Sequence, residues 1–287
     1  MKILITGGAG MLGHLLVNHF KSRHQVLYTV HRDQITIGGA EQLVWDLTQG
    51  PKPLSGIDAV IHTAAMTNVD QCQEYPEQAH QSNVMATRNV AASAPGAHII
   101  YISTDFVFDG ARGNYTEDDP PAPLSVYGRT KLQGEGQIPK DGCIIRTSIY
   151  GLGSGPQRPG MVEKTITRLK NGETLQGFTD QTFTPIATGN LAWFIEEILE
   201  RRLAGIFNIG SSQSCTKYEF IRAAAQAFGY DPEAVRPGLS SSVKYLAPRP
   251  KDVSLDTGKA QKIFKTKAWG LGTSFKSLKL EWENRRQ

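Results

Sequence analysis

The amino-acid sequence predicts an α/β fold, with a doubly wound parallel sheet, helices on both of its faces and a smaller C-terminal α/β lobe. Short apolar runs alternate with amphipathic stretches through the first half of the chain, as in parallel strands joined by helices. A glycine-rich turn joins the first run to the first stretch. The chain has 287 residues, which is enough for one large domain and an appended lobe.

The predicted strands are short apolar runs, and the predicted helices have apolar side chains at helical spacing. The strands are predicted at residues 2–6, 25–29, 59–63, 98–103, 143–148 and 206–209. The helices are predicted at residues 11–21, 76–94, 161–170, 191–202 and 217–228. Residues 151–160 are rich in glycine and proline, and residues 237–250 in serine and proline, so both segments are predicted to be loops.

Composition excludes several classes of protein. Hydrophobic residues make up 39% of the chain and charged residues 20%, which is ordinary for a globular protein. No apolar run approaches the roughly 20 residues that span a bilayer, and the first residues lack the pattern of a secretory signal. The three cysteines lie far apart, without metal-ligand spacing. We therefore expect a cytoplasmic protein with no membrane contact and no metal.

The charge pattern bears on the partners of the protein. The net charge is +4, and the basic residues are scattered rather than grouped into a stripe. Nucleic-acid binding requires such a stripe, so we expect no nucleic-acid partner. A mild positive balance instead suits an anionic small substrate.

A glycine turn lies between the first predicted strand and the first predicted helix, with Gly7, Gly10 and Gly13 at three-residue intervals. Such a turn lets a pyrophosphate approach bare backbone, and the helix N-terminus offers N–H groups and a partial positive charge to the phosphates. The sequence therefore predicts a Rossmann-type dinucleotide site with contacts at Gly7, Gly10, Met11, Leu12 and Gly13. We expect a dinucleotide-binding domain over residues 1–150 and a mostly substrate-binding lobe over residues 151–287, from which segments at about 180–210 return to the first domain.

The choice of cofactor depends on the end of the second strand, where an aspartate or glutamate would favour NADH. The chain has His31 and Arg32 there, and a guanidinium is suited to bind a 2′-phosphate through paired hydrogen bonds. We therefore expect NADPH, with NADH as the alternative if Asp33 serves the ribose. Asp46 and Leu47, after the next strand, are predicted near the adenine, although a turn residue explains Asp46 equally well.

Tyr127 and Lys131 are four residues apart, so on a helix they share one face. A nearby ammonium stabilises a phenolate, which would lower the tyrosine pKa and suit Tyr127 to give a proton to an alkoxide. The spacing alone also fits an exposed helical pair.

A predicted strand ends at Ser103 and Thr104, where ligands bind in open parallel sheets. The Thr104 hydroxyl is therefore placed either to bond a substrate carbonyl or to cap a turn.

Taken together, the motifs resemble those of the extended short-chain dehydrogenase/reductases, and among them the dTDP-4-dehydrorhamnose reductase family. The matching segments lie between residues 3 and 256: the glycine turn, residues 64–70, Asn83, residues 103–105 and 107–110, residues 127–131 and 134–135, residues 146–148, residues 180–181 with Pro185, and residues 249–250 and 255–256. The resemblance implies a catalytic trio of Thr104, Tyr127 and Lys131, of which the last two also contact the cofactor.

The resemblance also implies binding residues outside the trio. Ala64 and Ala65 are expected to line the dinucleotide groove, and Asn83 to lie near it. Asp105, Phe106 and Val107 are expected to contact the substrate beside Thr104.

In the family, a hydride passes from the nicotinamide to C4 of a dTDP-4-keto-6-deoxyhexose. The resemblance therefore implies reduction of the 4-keto group of a nucleotide-linked deoxysugar, with Tyr127 protonating the C4 oxygen. A dehydratase is disfavoured because Phe106 follows Asp105, where those enzymes have a glutamate. Two alternatives stay open: a nucleotide-sugar epimerase, and an NADP-binding regulatory subunit resembling the non-catalytic subunit of methionine adenosyltransferase.

Two departures from the family pattern leave the sugar and the nucleotide open. Ile149 and Tyr150 stand where the family has a tryptophan, and residues 153–160 replace its Asn-Asn-Phe-type substrate segment. Arg158 and Arg249 are predicted to bind the substrate pyrophosphate through charge-assisted hydrogen bonds, although each also fits a solvated loop position. A homodimer is possible, but no unusually apolar helix face selects it.

Overall fold

The structure is a computed structural model that describes residues 1–31, 35–154 and 159–285. The strands are β1 (Lys2–Thr6), β2 (Gln25–Val30), β3 (Glu41–Val44), β4 (Ala59–His62), β5 (His98–Ile102), β6 (Cys143–Arg146), β7 (Ser148–Tyr150), β8 (Leu175–Phe178), β9 (Thr182–Phe183), β10 (Pro185–Ala187), β11 (Gly205–Asn208), β12 (Cys215–Thr216) and β13 (Val235–Gly238). The α-helices are α1 (Met11–Phe20), α2 (Val69–Glu74), α3 (Pro76–His80), α4 (Ala86–Ser93), α5 (Val126–Glu135), α6 (Met161–Lys170), α7 (Thr188–Arg201), α8 (Lys217–Ala227), α9 (Gly258–Ile263) and α10 (Leu271–Asn284).

Seven strands form one parallel sheet in the order β11-β6-β5-β4-β1-β2-β3. The strand order reverses between β1 and β4, and ligands of such sheets bind at the carboxyl ends of the strands at this point. The predicted Rossmann-type α/β fold is confirmed.

Helices cover both faces of the sheet. On one face, α1, α7 and α9 share a core with the strands, and Leu12, Leu16 and Phe20 of α1 enter it at one-turn spacing. On the other face, α4 packs through Ala86 and Val90. Burial on both faces explains why the central strands are continuous apolar runs in the sequence.

The predicted helix at residues 76–94 is divided in the structure. It comprises α3, a π-helical turn over Gln81–Met85, and α4, which ends at Ser93. A helix that was not predicted, α2, precedes it and is capped by Asn68, whose side chain accepts hydrogen bonds from two backbone N–H groups of the first turn.

The last strand of the sheet comes from the second half of the chain. β11 pairs in parallel with β6, so that Ile206 is the partner of Ile144, and α7 packs beside α1. The division into domains at residues 1–150 and 151–287, with segments at about 180–210 returning to the first, stays a prediction.

A second core lies in the C-terminal lobe among α6, α8 and α10, with Phe183, Phe220 and Phe275 near its centre. Three strand pairs border it: β7–β10 and β8–β13 are parallel, and β9–β12 is antiparallel. Apart from Ser148, the last residue of a predicted strand, none of these residues was predicted to lie in a strand, because none of these segments is an apolar run of four or more residues. Within the described residues, no helix has the length and apolar character needed to cross a membrane.

Candidate active site

In the glycine turn between β1 and α1, the backbone of Gly13 lies close to the backbone of Gly7 at the carboxyl edge of the sheet. Gly7 has a φ of +71°, and a Cβ on Gly13 would lie 2.2 Å from the Gly7 carbonyl oxygen, so a side chain fits at neither position. Gly10 precedes α1 and provides no side-chain cap, which leaves N–H groups of the first turn available to an anion. Met11 is half-buried and Leu12 packs into the core.

A cavity of about 240 Å³ opens beside this turn. Its lining brings together six of the predicted cofactor residues: Gly7, His31, Asp46, Leu47, Ala64 and Ala65. It also contains residues that the sequence analysis did not identify: Thr29, Trp45, Thr48, Met66, Ser82 and Ala86. Trp45 directly follows β3, a strand with no fully buried residue, so the sequence offered no apolar pattern that would have placed its side chain.

Asp46 lies in this cavity and also caps a turn. Its carboxylate accepts hydrogen bonds from the Thr48 hydroxyl at 2.7 Å and the Thr48 backbone N–H at 3.0 Å, and it forms an ion pair with His31 Nε2 at 3.2 Å. The hydrogen bonds from Thr48 and the charge of His31 hold the pKa of Asp46 below its ordinary value. Arg32, the predicted ligand of a 2′-phosphate, lies outside the described residues.

Asn83 is buried and supports the wall of this cavity. Its Oδ1 accepts from the Met66 backbone N–H at 2.8 Å, and its Nδ2 donates to the Met66 carbonyl at 3.1 Å and to Thr130 Oγ1 at 3.0 Å. Asn83 therefore fixes the segment after β4 against α5. The Asn83 side chain is hydrogen bonded to protein groups, so near the cofactor groove it supports the wall of the cavity.

The predicted catalytic residues come together at the ends of β5 and α5. Ser125 caps α5 by accepting from the Gly128 N–H at 3.2 Å, and this start places Tyr127 and Lys131 one turn apart. Thr104 follows β5 and accepts from the Phe106 N–H at 3.2 Å, and its hydroxyl interacts with the Tyr127 side chain. The structure thus brings Tyr127 beside Thr104, at the same sheet edge as the glycine turn.

The predicted effect of Lys131 on Tyr127 is not what the structure shows. Lys131 is buried, and its Nζ donates to the Ile102 carbonyl at 2.7 Å and lies 4.0 Å from the centre of the Tyr101 ring. Burial raises the pKa of Tyr127, and the hydrogen bond with Thr104 opposes this rise. Burial lowers the pKa of Lys131 to about 7, and Glu135 opposes that fall.

The three residues after Thr104 have different surroundings. Asp105 is buried and accepts from the Thr104 hydroxyl at 3.1 Å, and the Phe106 ring meets the Tyr127 ring edge to face at 6.0 Å between centres. Val107 is fully buried in a cluster with Phe108. The expected substrate contact through the Val107 side chain is therefore corrected: this side chain packs the interior.

Lys217, which was not predicted from the sequence as a site residue, comes from the C-terminal lobe and interacts with Asp105. Lys217 is the first residue of α8, and its Nζ lies 3.3 Å from the centre of the Phe183 ring. Burial lowers the pKa of Lys217 to about 8, and the charge of Asp105 opposes this. Burial in turn raises the pKa of Asp105 to about 6, and the charge of Lys217 opposes that rise most strongly. The sequence predicted the start of this helix but carried no signal for where the ammonium lies.

Arg249 links the C-terminal lobe to the segment after β4. Its Nη2 lies 3.0 Å from Asp70 Oδ2, and its guanidinium stacks on the Tyr245 ring at 4.7 Å. Asp70 also accepts from the Ala247 N–H at 2.9 Å. A cavity of about 470 Å³ lies next to Arg249. Arg158, the other predicted pyrophosphate ligand, lies outside the described residues.

The fold and the site together define the extended short-chain dehydrogenase/reductase class, with a glycine turn after β1 and a tyrosine and lysine on α5 beside a threonine after β5. Within that class, a family model described as the RmlD substrate binding domain matches residues 1–276, and the chain belongs to this family.

Relatives with different named activities match most of the chain. The dTDP-4-dehydrorhamnose reductase of Mycolicibacterium smegmatis is 30% identical, over 87% of this chain and 76% of its own. Methionine adenosyltransferase 2 subunit beta of Rattus norvegicus is also 30% identical, over 91% of this chain and 82% of its own. Among solved structures, a hypothetical dTDP-4-dehydrorhamnose reductase from Sulfolobus tokodaii has a TM-score of 0.80 and 33% identity, covering 94% of this chain and 97% of its own.

Proposed function

We propose that the protein is an NAD(P)H-dependent reductase that acts on the 4-keto group of a nucleotide-linked deoxysugar. The observation that carries the proposal is the placement of Tyr127 beside Thr104, with Lys131 one turn further along α5, at the carboxyl edge of a sheet that also holds a glycine turn. Membership of the RmlD family and the reductases among its relatives support a sugar-nucleotide substrate.

The environment of Tyr127 suits proton donation. Burial favours the neutral phenol, and the Thr104 hydroxyl acts in the opposite direction. The raised pKa of Tyr127 keeps the phenol protonated until a developing alkoxide, a strong base, takes the proton. In our proposal, Thr104 and Tyr127 both bond the substrate carbonyl oxygen, and Lys131, whose Nζ is held by the Ile102 carbonyl, contributes a positive charge at the same edge of the sheet.

The glycine turn and the cavity beside it fit a dinucleotide. Gly7 and Gly13 leave room that a Cβ would fill, and the cavity holds His31 and Asp46 at the far end of the groove. A bound NADPH supplies the hydride that reduces the carbonyl carbon. We favour NADPH over NADH because His31 and Arg32 follow β2, where an NADH enzyme has an acidic residue.

The test is to follow NADPH absorbance with dTDP-4-keto-6-deoxyglucose, with and without a 3,5-epimerase, for the wild type and for Tyr127→Phe. We expect substrate-dependent oxidation that falls about 10²- to 10⁴-fold in the variant, the usual contribution of a positioned acid. Dependence on the epimerase would identify the rhamnose precursor as the substrate. NADPH binding without turnover of any nucleotide-linked keto sugar would contradict the proposal.

A second function is supported by a specific similarity. The match to methionine adenosyltransferase 2 subunit beta is as extensive as the match to the reductases, which favours an NADP-binding regulatory subunit as the alternative. Co-purification and the effect of Tyr127→Phe distinguish the two functions. A regulator would co-purify with a catalytic partner and change the activity of that partner, and Tyr127→Phe would leave this effect intact.

A further inference from the structure

A buried ion pair lies directly behind the proposed catalytic residues. Arg146 Nη2 donates to Glu135 Oε2 at 2.8 Å, and Arg146 Nε donates to Glu135 Oε1 at 3.1 Å. Ser103 adds a third hydrogen bond, from its hydroxyl to Glu135 Oε1 at 2.5 Å. The Glu135 and Arg146 side chains are only 6% and 3% exposed, so three donors hold a carboxylate in a dry environment.

This carboxylate is next to Lys131 in two ways. Glu135 is one helical turn after Lys131 on α5, so the two side chains leave the same face. Their polar ends are also bonded to consecutive residues of the chain, because Lys131 Nζ donates to the Ile102 carbonyl and Glu135 accepts from the Ser103 hydroxyl.

The other titratable groups that face Lys131 are uncharged. They are Tyr101 on β5, His62 on β4 and Tyr127 on α5. Burial lowers the pKa of His62 to about 3 and raises the pKa of both tyrosines, so all three are neutral near pH 7. Among these described groups, Glu135 is the carboxyl group, and it forms an ion pair with Arg146.

We propose that Glu135 is a positioning residue that keeps the buried Lys131 ammonium protonated, and that Arg146 and Ser103 hold its carboxylate in place to do so. Burial alone pulls the pKa of Lys131 down, and a nearby anion in a dry site restores the charged form. The effect of Glu135 on catalysis rests on the proposed reductase function, in which Lys131 acts as a cation. The effect of Glu135 on the protonation of Lys131 does not depend on that function.

The first experiment measures Lys131 directly. The protein is labelled with ε-13C-lysine, the Lys131 signal is assigned from its loss in Lys131→Met, and the signal is titrated by NMR. We expect Glu135→Gln to lower the titration midpoint of Lys131 by about one pH unit or more. Glu281→Gln, which removes the half-buried carboxylate that pairs with Arg285 on α10, is the matched control and should leave the midpoint unchanged.

Glu135→Asp covers the case in which Glu135→Gln does not fold. It keeps the charge for Arg146 but withdraws the carboxylate by one methylene, so we expect a smaller shift in the same direction. An unchanged Lys131 midpoint in a folded Glu135→Gln or Glu135→Asp protein would overturn the proposal.

The second experiment separates this proposal from the reductase function. If the protein reduces a keto sugar, the alkaline limb of the kcat profile should move to lower pH in Glu135→Gln and should move less in Glu135→Asp. A uniform loss of activity with an unshifted limb would indicate a purely structural role and would contradict the proposal. If no keto sugar is reduced but the NMR midpoint shifts, the proposed function fails and the assignment of Glu135 stands.

Discussion

At Asp105, groups from the two halves of the molecule interact electrostatically. Its carboxylate accepts the Thr104 hydroxyl from the first half of the chain and interacts with the Lys217 charge from the C-terminal lobe. An ionised Asp105 can only accept the Thr104 hydroxyl proton, whereas a protonated Asp105 also has a proton to donate. The protonation state of Asp105 therefore bears on the orientation of the Thr104 hydroxyl in the proposed site.

The titration of Asp105 predicts how stability depends on pH. Its folded pKa is raised from 3.8 to about 6, so ionising it costs the folded state more than the unfolded state. This contribution lowers stability as the pH rises from about 4 to about 6, by roughly 3 kcal/mol at most, and the full cost is present above that range. Asp105→Asn should remove this part of the profile.

The measurement is chemical denaturation of wild type and Asp105→Asn at several pH values between 4 and 7. The difference between the two unfolding free energies should change over this range and level off above it. Parallel profiles would show that the Asp105 pKa is not raised in the folded protein.

At the scale of elements, the glycine turn is held by contacts that leave no room for a side chain. Gly13→Ala would place a Cβ 2.2 Å from the Gly7 carbonyl oxygen, so either the turn or α1 must move. We expect a loss of about 1–3 kcal/mol in stability, as for other overpacked positions, and at least tenfold weaker NADPH binding.

The matched control is Gly189→Ala in α7, where no atom lies within 4 Å of the added Cβ. Replacing a helical glycine there should leave stability equal or raise it by up to about 1 kcal/mol, with unchanged NADPH binding. Thermal unfolding and NADPH titration of both variants provide the test. Equal effects of the two substitutions would contradict the assigned role of the turn.

The elements also show where sequence reasoning succeeds. The glycine turn and the Tyr127–Lys131 spacing are local patterns, so the sequence alone predicted both. Trp45 and Lys217 are brought to the site by contacts between distant parts of the chain. Local sequence patterns do not predict such contacts. The pKa of Tyr127 was predicted wrongly for the same reason: the direction of the Lys131 side chain depends on the Ile102 carbonyl and on burial.

At the scale of the whole molecule, Arg249 joins the C-terminal lobe to the segment after β4 through Asp70. If Arg249 also binds the substrate pyrophosphate, its two roles can be separated by mutation. Arg249→Met should raise the KM for the nucleotide sugar about 10- to 100-fold, because a hydrogen bond to a charged group contributes about 1.5–3 kcal/mol. Asp70→Asn removes only the ion pair between the segments and should change KM much less.

Steady-state kinetics of Arg249→Met and Asp70→Asn distinguish these roles. Equal changes in KM for the two variants would mean that Arg249 acts only through Asp70. The predicted pyrophosphate contact would then be wrong.

In the proposed reaction, hydride is delivered to C4 of a nucleotide-linked sugar at this site. The most direct test is to supply NADPH deuterated at C4 of the nicotinamide, together with a nucleotide-linked 4-keto-6-deoxyhexose, and to examine the product by NMR and mass spectrometry. We expect one deuterium at C4 of the sugar in the wild-type product, formed at least 10²-fold more slowly by Tyr127→Phe. An unlabelled sugar, or a keto sugar recovered unchanged from protein that binds NADPH, would contradict it.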